Sequence, residues 1–286
     1  VTGDGGLHIR SLRVVIGRDA GTTILHGIDL DVPRGQVTGL AGESGSGKTI
    51  TGMSVMGLLP TTARASGQIL FEGTDLLTLS ARQLNAYRGA RIAMVFQDPT
   101  ASLHPMLSIG GQLTDHYRSH TGASKREAKD RAVEMLTKVQ VPEPEIALHK
   151  YPHQFSGGQL QRVAIAGALM CGPSVLIADE PTTALDVTVQ AELLRLLRGL
   201  CDDLGLAVLL ITHDLGVMSS LADRIAVMKD GRIVELGDRY QVITAPQDPY
   251  TRSLIDALPA ADGASAGGRC ADGADAARLP GSEGSV

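Results

Sequence analysis

The chain has 286 residues, 43% hydrophobic and 20% charged, with a formal net charge of −5. That length and apolar content support a real buried core and exclude wholesale disorder. The acidic balance argues against non-specific nucleic-acid binding, which needs a positive surface.

Cys171, Cys201 and Cys270 are far apart and odd in number. They offer neither a disulfide framework nor a zinc spacing, which points to a reducing cytosol. Cys171 and Cys201 read as small apolar fillers in or beside helices. The opening residues, Val1 to Arg10, do not read as a signal peptide. The apolar run Leu204 to Ile211 stops at Thr212-His213, far short of the roughly 18 to 20 residues that cross a bilayer. A role at a membrane therefore requires another chain to supply the span.

In chain order, Leu12 to Ile16 and Ile24 to Val32 read as strands, the second with Ile28, Leu30 and Val32 alternating against polar residues. Pro33-Arg34-Gly35 is a turn, and Gln36 to Ala41 a buried strand. Gly42 to Gly47 interrupts it, and Lys48 to Leu59 is a helix that Pro60 stops. Strands follow at Gln68 to Glu72 and Arg91 to Phe96, with a short helix between them from Ser80 to Tyr87. Ser80 is its N-cap. From Gln97 to Phe155 the pattern turns helical. Ser124 and Glu127 form a capping box, and Ala128, Ala132, Leu136 and Val139 mark one face. Pro142 and Pro144 break that pattern. Gln159 to Met170 is a helix ended by Gly172-Pro173, and Val175 to Ala178 a strand with acids at its end. Helix Val187 to Leu204, strand Ala207 to Ile211 and helix Leu215 to Ala222 come next. Arg224 to Lys229 and Arg232 to Glu235 flank Asp230-Gly231, a strong hairpin signal. The tail from Ala260, rich in Gly, Ala, Ser and Asp, reads as disordered.

Three segments carry chemistry. Gly42-Glu43-Ser44-Gly45-Ser46-Gly47-Lys48-Thr49 fits G-x-x-x-x-G-K-[ST] between a strand and a helix. Its glycines let successive N–H groups face phosphate oxygens, and the helix adds its positive end. Lys48 would neutralise the β- and γ-phosphates of ATP, and the Thr49 hydroxyl would ligate Mg²⁺. The strand Val175 to Ala178 ends in Asp179-Glu180. Asp179 would hold Mg²⁺ through water, and Glu180 would orient or deprotonate the attacking water. Ser156-Gly157-Gly158-Gln159 opens a helix and supplies a second anion site.

These motifs resemble the ABC transporter ATPase family. The likeness is carried by the phosphate loop, by Gln97 in Val95-Phe96-Gln97-Asp98-Pro99, by the signature Ser156 to Gln159, by the acidic strand, and by His213 in Ile211-Thr212-His213-Asp214. Ala184-Leu185-Asp186 resembles the family's D-loop. The resemblance spans Leu7 to Leu258. It implies an α/β fold: a P-loop NTPase (RecA-like) core with an N-terminal antiparallel β subdomain and an inserted α-helical subdomain. The domain would cover residues 1–259, with the insert at about 98–155 and a tail at 260–286. It also implies a head-to-tail dimer with ATP between the phosphate loop of one chain and Ser156, Gly157, Gly158 and Gln159 of the other. Gln97 would sense the γ-phosphate and metal, His213 would contact the γ-phosphate, and Asp186 would couple the two sites. Relatives stack adenine on an aromatic; the matching position here is Ile16, and no aromatic lies between Val1 and Phe71. An aliphatic adenine contact would let GTP compete with ATP.

Within the family, Ser102-Leu103-His104-Pro105, Tyr151-Pro152-His153-Gln154 and Pro249-Tyr250-Thr251-Arg252-Ser253-Leu254 resemble the peptide/nickel importer branch. Tyr250 and Leu254 read equally as core contacts of a docking helix. Cys270 alone cannot build a four-thiolate iron–sulfur cluster within one chain. The resemblance implies a peripheral ATPase on the cytoplasmic face of the cell membrane. Its partners would be a second ABC ATPase (a copy or a paralogue), two transmembrane permeases and an extracytoplasmic substrate-binding protein, and no nucleic acid. The cargo would be peptides, nickel or metal chelates. An exporter ATPase is the competing reading, opposed by the peptide-branch segments. A soluble ABC ATPase of translation or repair would show paired domains or a coiled coil. A P-loop kinase would leave the signature and His213 unexplained.

Overall fold

The computed structural model describes residues 6–17, 21–183 and 185–258. The expected disordered tail, Cys270 and Ala184 of the D-loop lie outside these residues.

The chain opens with β1 (Leu7–Ile16) and β2 (Thr22–Val32), an antiparallel pair. β1 begins at Leu7, well before the β-branched run that marks it in sequence. Its two halves are joined by a register shift around Ser11, whose φ is 45°. β3 (Val37–Ala41) leads into the phosphate loop and α1 (Lys48–Met56). Pro60 does not stop this helix: Gly57, left-handed at φ 59°, closes it first by donating to the carbonyls of Met53 and Ser54. β4 (Ala63–Phe71), β5 (Thr74–Asp75), α2 (Ala81–Asn85) and β6 (Ile92–Val95) follow. Ser80 caps α2 in a reciprocal pair with Gln83.

Residues 98–155 hold four α-helices among the described residues, α3 (Pro99–Ser102), α4 (Ile109–Thr121), α5 (Lys125–Lys138) and α6 (Pro144–Ala147), and a 3-10 turn at Pro152–Gln154. The Ser124 hydroxyl accepts from Glu127 N at 3.3 Å, and Glu127 accepts from Ser124 N at 2.8 Å. Such a cap is worth about 1 kcal/mol. Ala128, Ala132, Leu136 and Val139 are fully buried. The prolines do not end α5, which stops at Lys138 with Val139 as its C-cap and Gln140 at φ 59°; Pro144 instead starts α6, where at the first helical position its missing N–H costs nothing.

Then come α7 (Gly157–Leu169), β7 (Val175–Asp179), α8 (Val187–Leu204), β8 (Ala207–Ile211), α9 (Leu215–Leu221), β9 (Arg224–Lys229), β10 (Arg232–Asp238), α10 (Arg239–Thr244) and α11 (Pro249–Asp256). α7 starts two residues before the sequence pattern indicates. Ser156 caps it, so both glycines fall inside the first turn.

Two sheets result. One runs β2-β1-β4-β5; the other runs β10-β9-β3-β8-β7-β6, parallel from β9 to β6. β3, β7 and β8 are buried at every residue, as a parallel sheet covered on both faces requires. Alternate residues serve opposite faces. Leu176 and Ala178 pack with the helices, including Val163 and Leu197. Val175 and Ile177 pack with α1 and the antiparallel sheet, including Ile28 and Phe71. Cys201 is buried in the helical core, and burial pushes its thiol up to about 11, which suits an inert filler. The carboxyl ends of β3, β6, β7 and β8 converge where Gly42, Gln97, Glu180 and His213 begin their loops. In open α/β sheets this end is where ligands bind.

Candidate functional site

The phosphate loop is shaped by its own backbone. Gly42 has φ 147°, and a methyl there would collide with the carbonyl oxygen of Met228. Ser46 N donates to Glu43 O at 3.2 Å, closing the turn. Gly47 caps α1 with no side chain and no acid occupies its first turn, so the helix start presents bare N–H groups. The Ser46 hydroxyl is buried and without a hydrogen-bond partner. A buried polar oxygen calls for a partner, and a phosphate oxygen in the cradle would supply one.

Lys48 is 5% exposed, and its ammonium donates to the carbonyls of Gly42 (2.7 Å) and Glu43 (2.8 Å). Burial lowers its pKa; the nearby carboxylates of Glu180, Asp179 and Glu43 oppose that shift. Asp179 is 4% exposed. Burial raises its carboxyl pKa, against the hydrogen bond from the Thr49 hydroxyl at 3.2 Å. A hydroxyl and a carboxylate side by side are the oxygen ligands that suit Mg²⁺ completed by water and phosphate. Among the described residues no group of three or more His, Cys, Asp or Glu side chains could hold a metal.

Glu180 is the hub. Its φ is 45°, a conformation that costs a non-glycine residue stability and that clusters at functional sites. Its N–H donates to Ile211 O at 2.8 Å, locking the turn after β7 to the end of β8. One carboxylate oxygen accepts from Gln97 Nε2 (3.1 Å) and the Thr183 hydroxyl (2.8 Å). The other lies 3.2 Å from His213 Nδ1. Three loops from three strands therefore meet at one carboxylate.

These groups line a cleft of about 560 Å³. Gly42, Ser44, Gly45, Gly47, Lys48, Thr49, Gln97, Glu180 and His213 all reach its wall. Ile16 does not. It packs half-buried against the antiparallel core, and the aliphatic wall is made by Ile24 and Ile50. Leu254 of α11 also lines the cleft. The only signal for it in sequence is the apolar spacing of the Pro249 to Leu254 segment. Thr183, three residues after Glu180, went unmarked.

Ser156, Gly157, Gly158 and Gln159 lie outside this cleft. Ser156 Oγ accepts from Gln159 N at 3.4 Å while Gln159 Oε1 accepts from Ser156 N at 3.1 Å. Ser156 and Gly157 are exposed. Asp186 caps α8 by accepting from Val189 N at 3.0 Å. The described residues thus present a phosphate-loop cleft and, outside it, the exposed start of α7.

A parallel sheet with this loop after β3 and a carboxylate after β7, on the far side of β8, defines a nucleotide-hydrolysing ATPase cassette. Residues 25–183 match the family model described as ABC transporter, and the chain belongs to that family. It is 46% identical over 256 residues to a probable peptide ABC transporter ATP-binding protein of Sinorhizobium fredii, covering 88% of this chain and 76% of that one. It is 44% identical to the dipeptide transport ATP-binding protein of Bacillus subtilis, covering 90% and 77%. Among solved structures, a dimeric ATP-binding cassette in a post-hydrolysis state bound to ADP and Pi superimposes with a TM-score of 0.71 at 29% identity, covering 82% of this chain and 98% of that one. A cassette of Clostridium perfringens that is part of an ABC transporter complex gives 0.72 at 30% identity, covering 88% and 95%. The chain is an ATPase of this family.

Proposed function

We propose that this chain is the ATP-hydrolysing subunit of a peptide importer and that Glu180 is its general base. The observation that carries the site is the meeting of Gln97, Thr183 and His213 on the Glu180 carboxylate beside the phosphate loop. The peptide cargo follows from the similarity to peptide-transport ATP-binding proteins.

In this reading the loop N–H groups, the Ser46 hydroxyl and Lys48 bind the phosphates of ATP. Thr49 and Asp179, with Gln97, would hold Mg²⁺, which would supply charge neutralisation on the phosphates. Glu180 accepts a proton from water as its oxygen attacks the γ-phosphorus and the bond to the β–γ bridging oxygen breaks, giving ADP and phosphate. Gln97 and His213 fix the orientation of Glu180, and His213 also contacts the γ-phosphate. Ser156 to Gln159 of a facing chain close the site and exclude water. Asp186, at the start of α8, couples the two sites of the dimer. Among the described residues no helix is long and apolar enough to cross a membrane. In this reading, which rests on the similarity to transport ATP-binding proteins, the chain acts peripherally on the cytoplasmic face, beneath two permease chains served by an external binding protein.

The test is Glu180→Gln in the assembled transporter. It should keep ATP binding, lower turnover by about 100-fold or more, and hold the ATP-bound dimer closed on size exclusion. Turnover near the wild-type rate would refute the assignment of Glu180.

A further inference from the structure

The first limb of the phosphate loop is held by the last described helix. Glu43 N–H donates to the Tyr250 hydroxyl at 3.1 Å, across 207 residues of sequence. The carbonyl of the same residue accepts from Ser46 N (3.2 Å) and Lys48 Nζ (2.8 Å). Both backbone groups of Glu43 are therefore committed, and one of the partners comes from outside the loop.

Tyr250 is itself built in. It is 8% exposed, and the Lys229 ammonium lies 4.6 Å from its ring centroid. The Glu235 carboxylate on β10 accepts from Gln247 N (2.8 Å) and Asp248 N (3.1 Å), fastening the turn before α11. Asp248 then caps the helix through Tyr250 N at 2.8 Å. One turn further on, Leu254 reaches the cleft. None of this segment lies within residues 25–183, the part matched by the family model.

From this contact we infer that Tyr250 is a positioning residue for nucleotide binding, its hydroxyl fixing the Glu43 peptide so that the following N–H groups face the phosphates. The inference rests on the reading of the cleft as the ATP site. The loop can form without the bond but is then less preorganised, and ATP must supply the ordering. The catalytic groups Gln97, Glu180 and His213 stand on other strands, so the effect falls on binding.

The experiment compares Tyr250→Phe with wild type in the full chain assembled with its permeases, reading KM for ATP, kcat and equilibrium binding of ATP. One lost hydrogen bond of ordinary strength predicts about 3- to 10-fold weaker ATP binding, with KM rising and kcat within about twofold. Glu235→Gln, which loosens the tether without touching the loop, should shift KM the same way by less. Val242→Ala, a buried residue of α10, serves as a control of lowered stability and should leave KM unchanged. An unaltered KM in Tyr250→Phe, or an equal rise in Val242→Ala, overturns the inference. Lys48→Ala in the same assay separates the two readings. If it abolishes ATP binding while Tyr250→Phe has no effect, the nucleotide site stands and only the brace is lost.

Discussion

Asp179 is 4% exposed, and its carboxyl is pushed above the ordinary range chiefly by burial. A raised carboxyl pKa in the fold means that the folded chain holds this proton more tightly than the unfolded chain does. The ionised group therefore subtracts from stability at neutral pH, and that loss disappears as pH falls below the unfolded value. Asp179→Asn keeps an oxygen for the Thr49 bond and removes the buried charge. It should raise the melting temperature of the nucleotide-free chain near pH 7, with the gain vanishing towards about pH 4, while abolishing ATP hydrolysis. Scanning fluorimetry at the two pH values checks it; a lower melting temperature at neutral pH would contradict the burial argument. The grouping of Lys48, Asp179 and Glu180 is legible in sequence because each sits at a fixed spacing in a motif at the end of a strand. Tyr250 is legible only as an apolar helix position. Its partner is a backbone N–H brought near by tertiary folding, and a backbone donor leaves no mark on residue identity.

At the level of elements, local chemistry predicts starts better than ends. Ser80, Ser124 and Ser156 each announce a helix through a side chain that bonds three residues ahead. The end of α1 depends on Gly57 adopting a left-handed conformation, and Pro60 distracts from it. β1 and β4 begin earlier than their β-branched runs because pairing between them recruits residues of weak propensity, such as Arg64 opposite Val15. The strands also decide which isoleucine reaches the cleft. Ile16, opposite Thr22, packs into the antiparallel core, whereas Ile24 lines the cleft. Ile24→Ala should weaken ATP binding by about threefold or more through lost apolar contact, and Ile16→Ala by less than about twofold. Because aliphatic contact recognises no ring pattern, GTP should compete with ATP within about tenfold. Displacement of a fluorescent ATP analogue measures both, and strong exclusion of GTP would place a specific base contact elsewhere.

Among the described residues, the glycine-rich starts of α1 and α7 do not share a cleft within one chain. α1 supplies the cradle. α7 shows its exposed first turn outside that cleft. Two chains placed head to tail would make two complete sites from these halves, and ATP would then act as the adhesive between them. Specific activity of the isolated chain should therefore rise with protein concentration and level off once dimers dominate. A dilution series of steady-state turnover tests this, and flat specific activity down to the lowest concentration would show that one chain is sufficient.

Gly231 joins the parts of this machine in a way that bears on its manufacture. Its N–H donates to Ser46 O and its carbonyl accepts from His26 N, both at 2.9 Å. Its φ is 71°, and a methyl there would strike the carbonyl of Ile24. β3, which bears the phosphate loop, pairs only with β8 and β9 in the described sheet. A ribosome making this chain releases the loop early and the strands and turn that shape it late. The growing chain thus cannot frame this cleft until it has been translated past Gly231, and its apolar β3 must wait unpaired in the meantime. Synthesis order therefore delays the framing of the phosphate loop until β8, β9 and the Gly231 turn have been made.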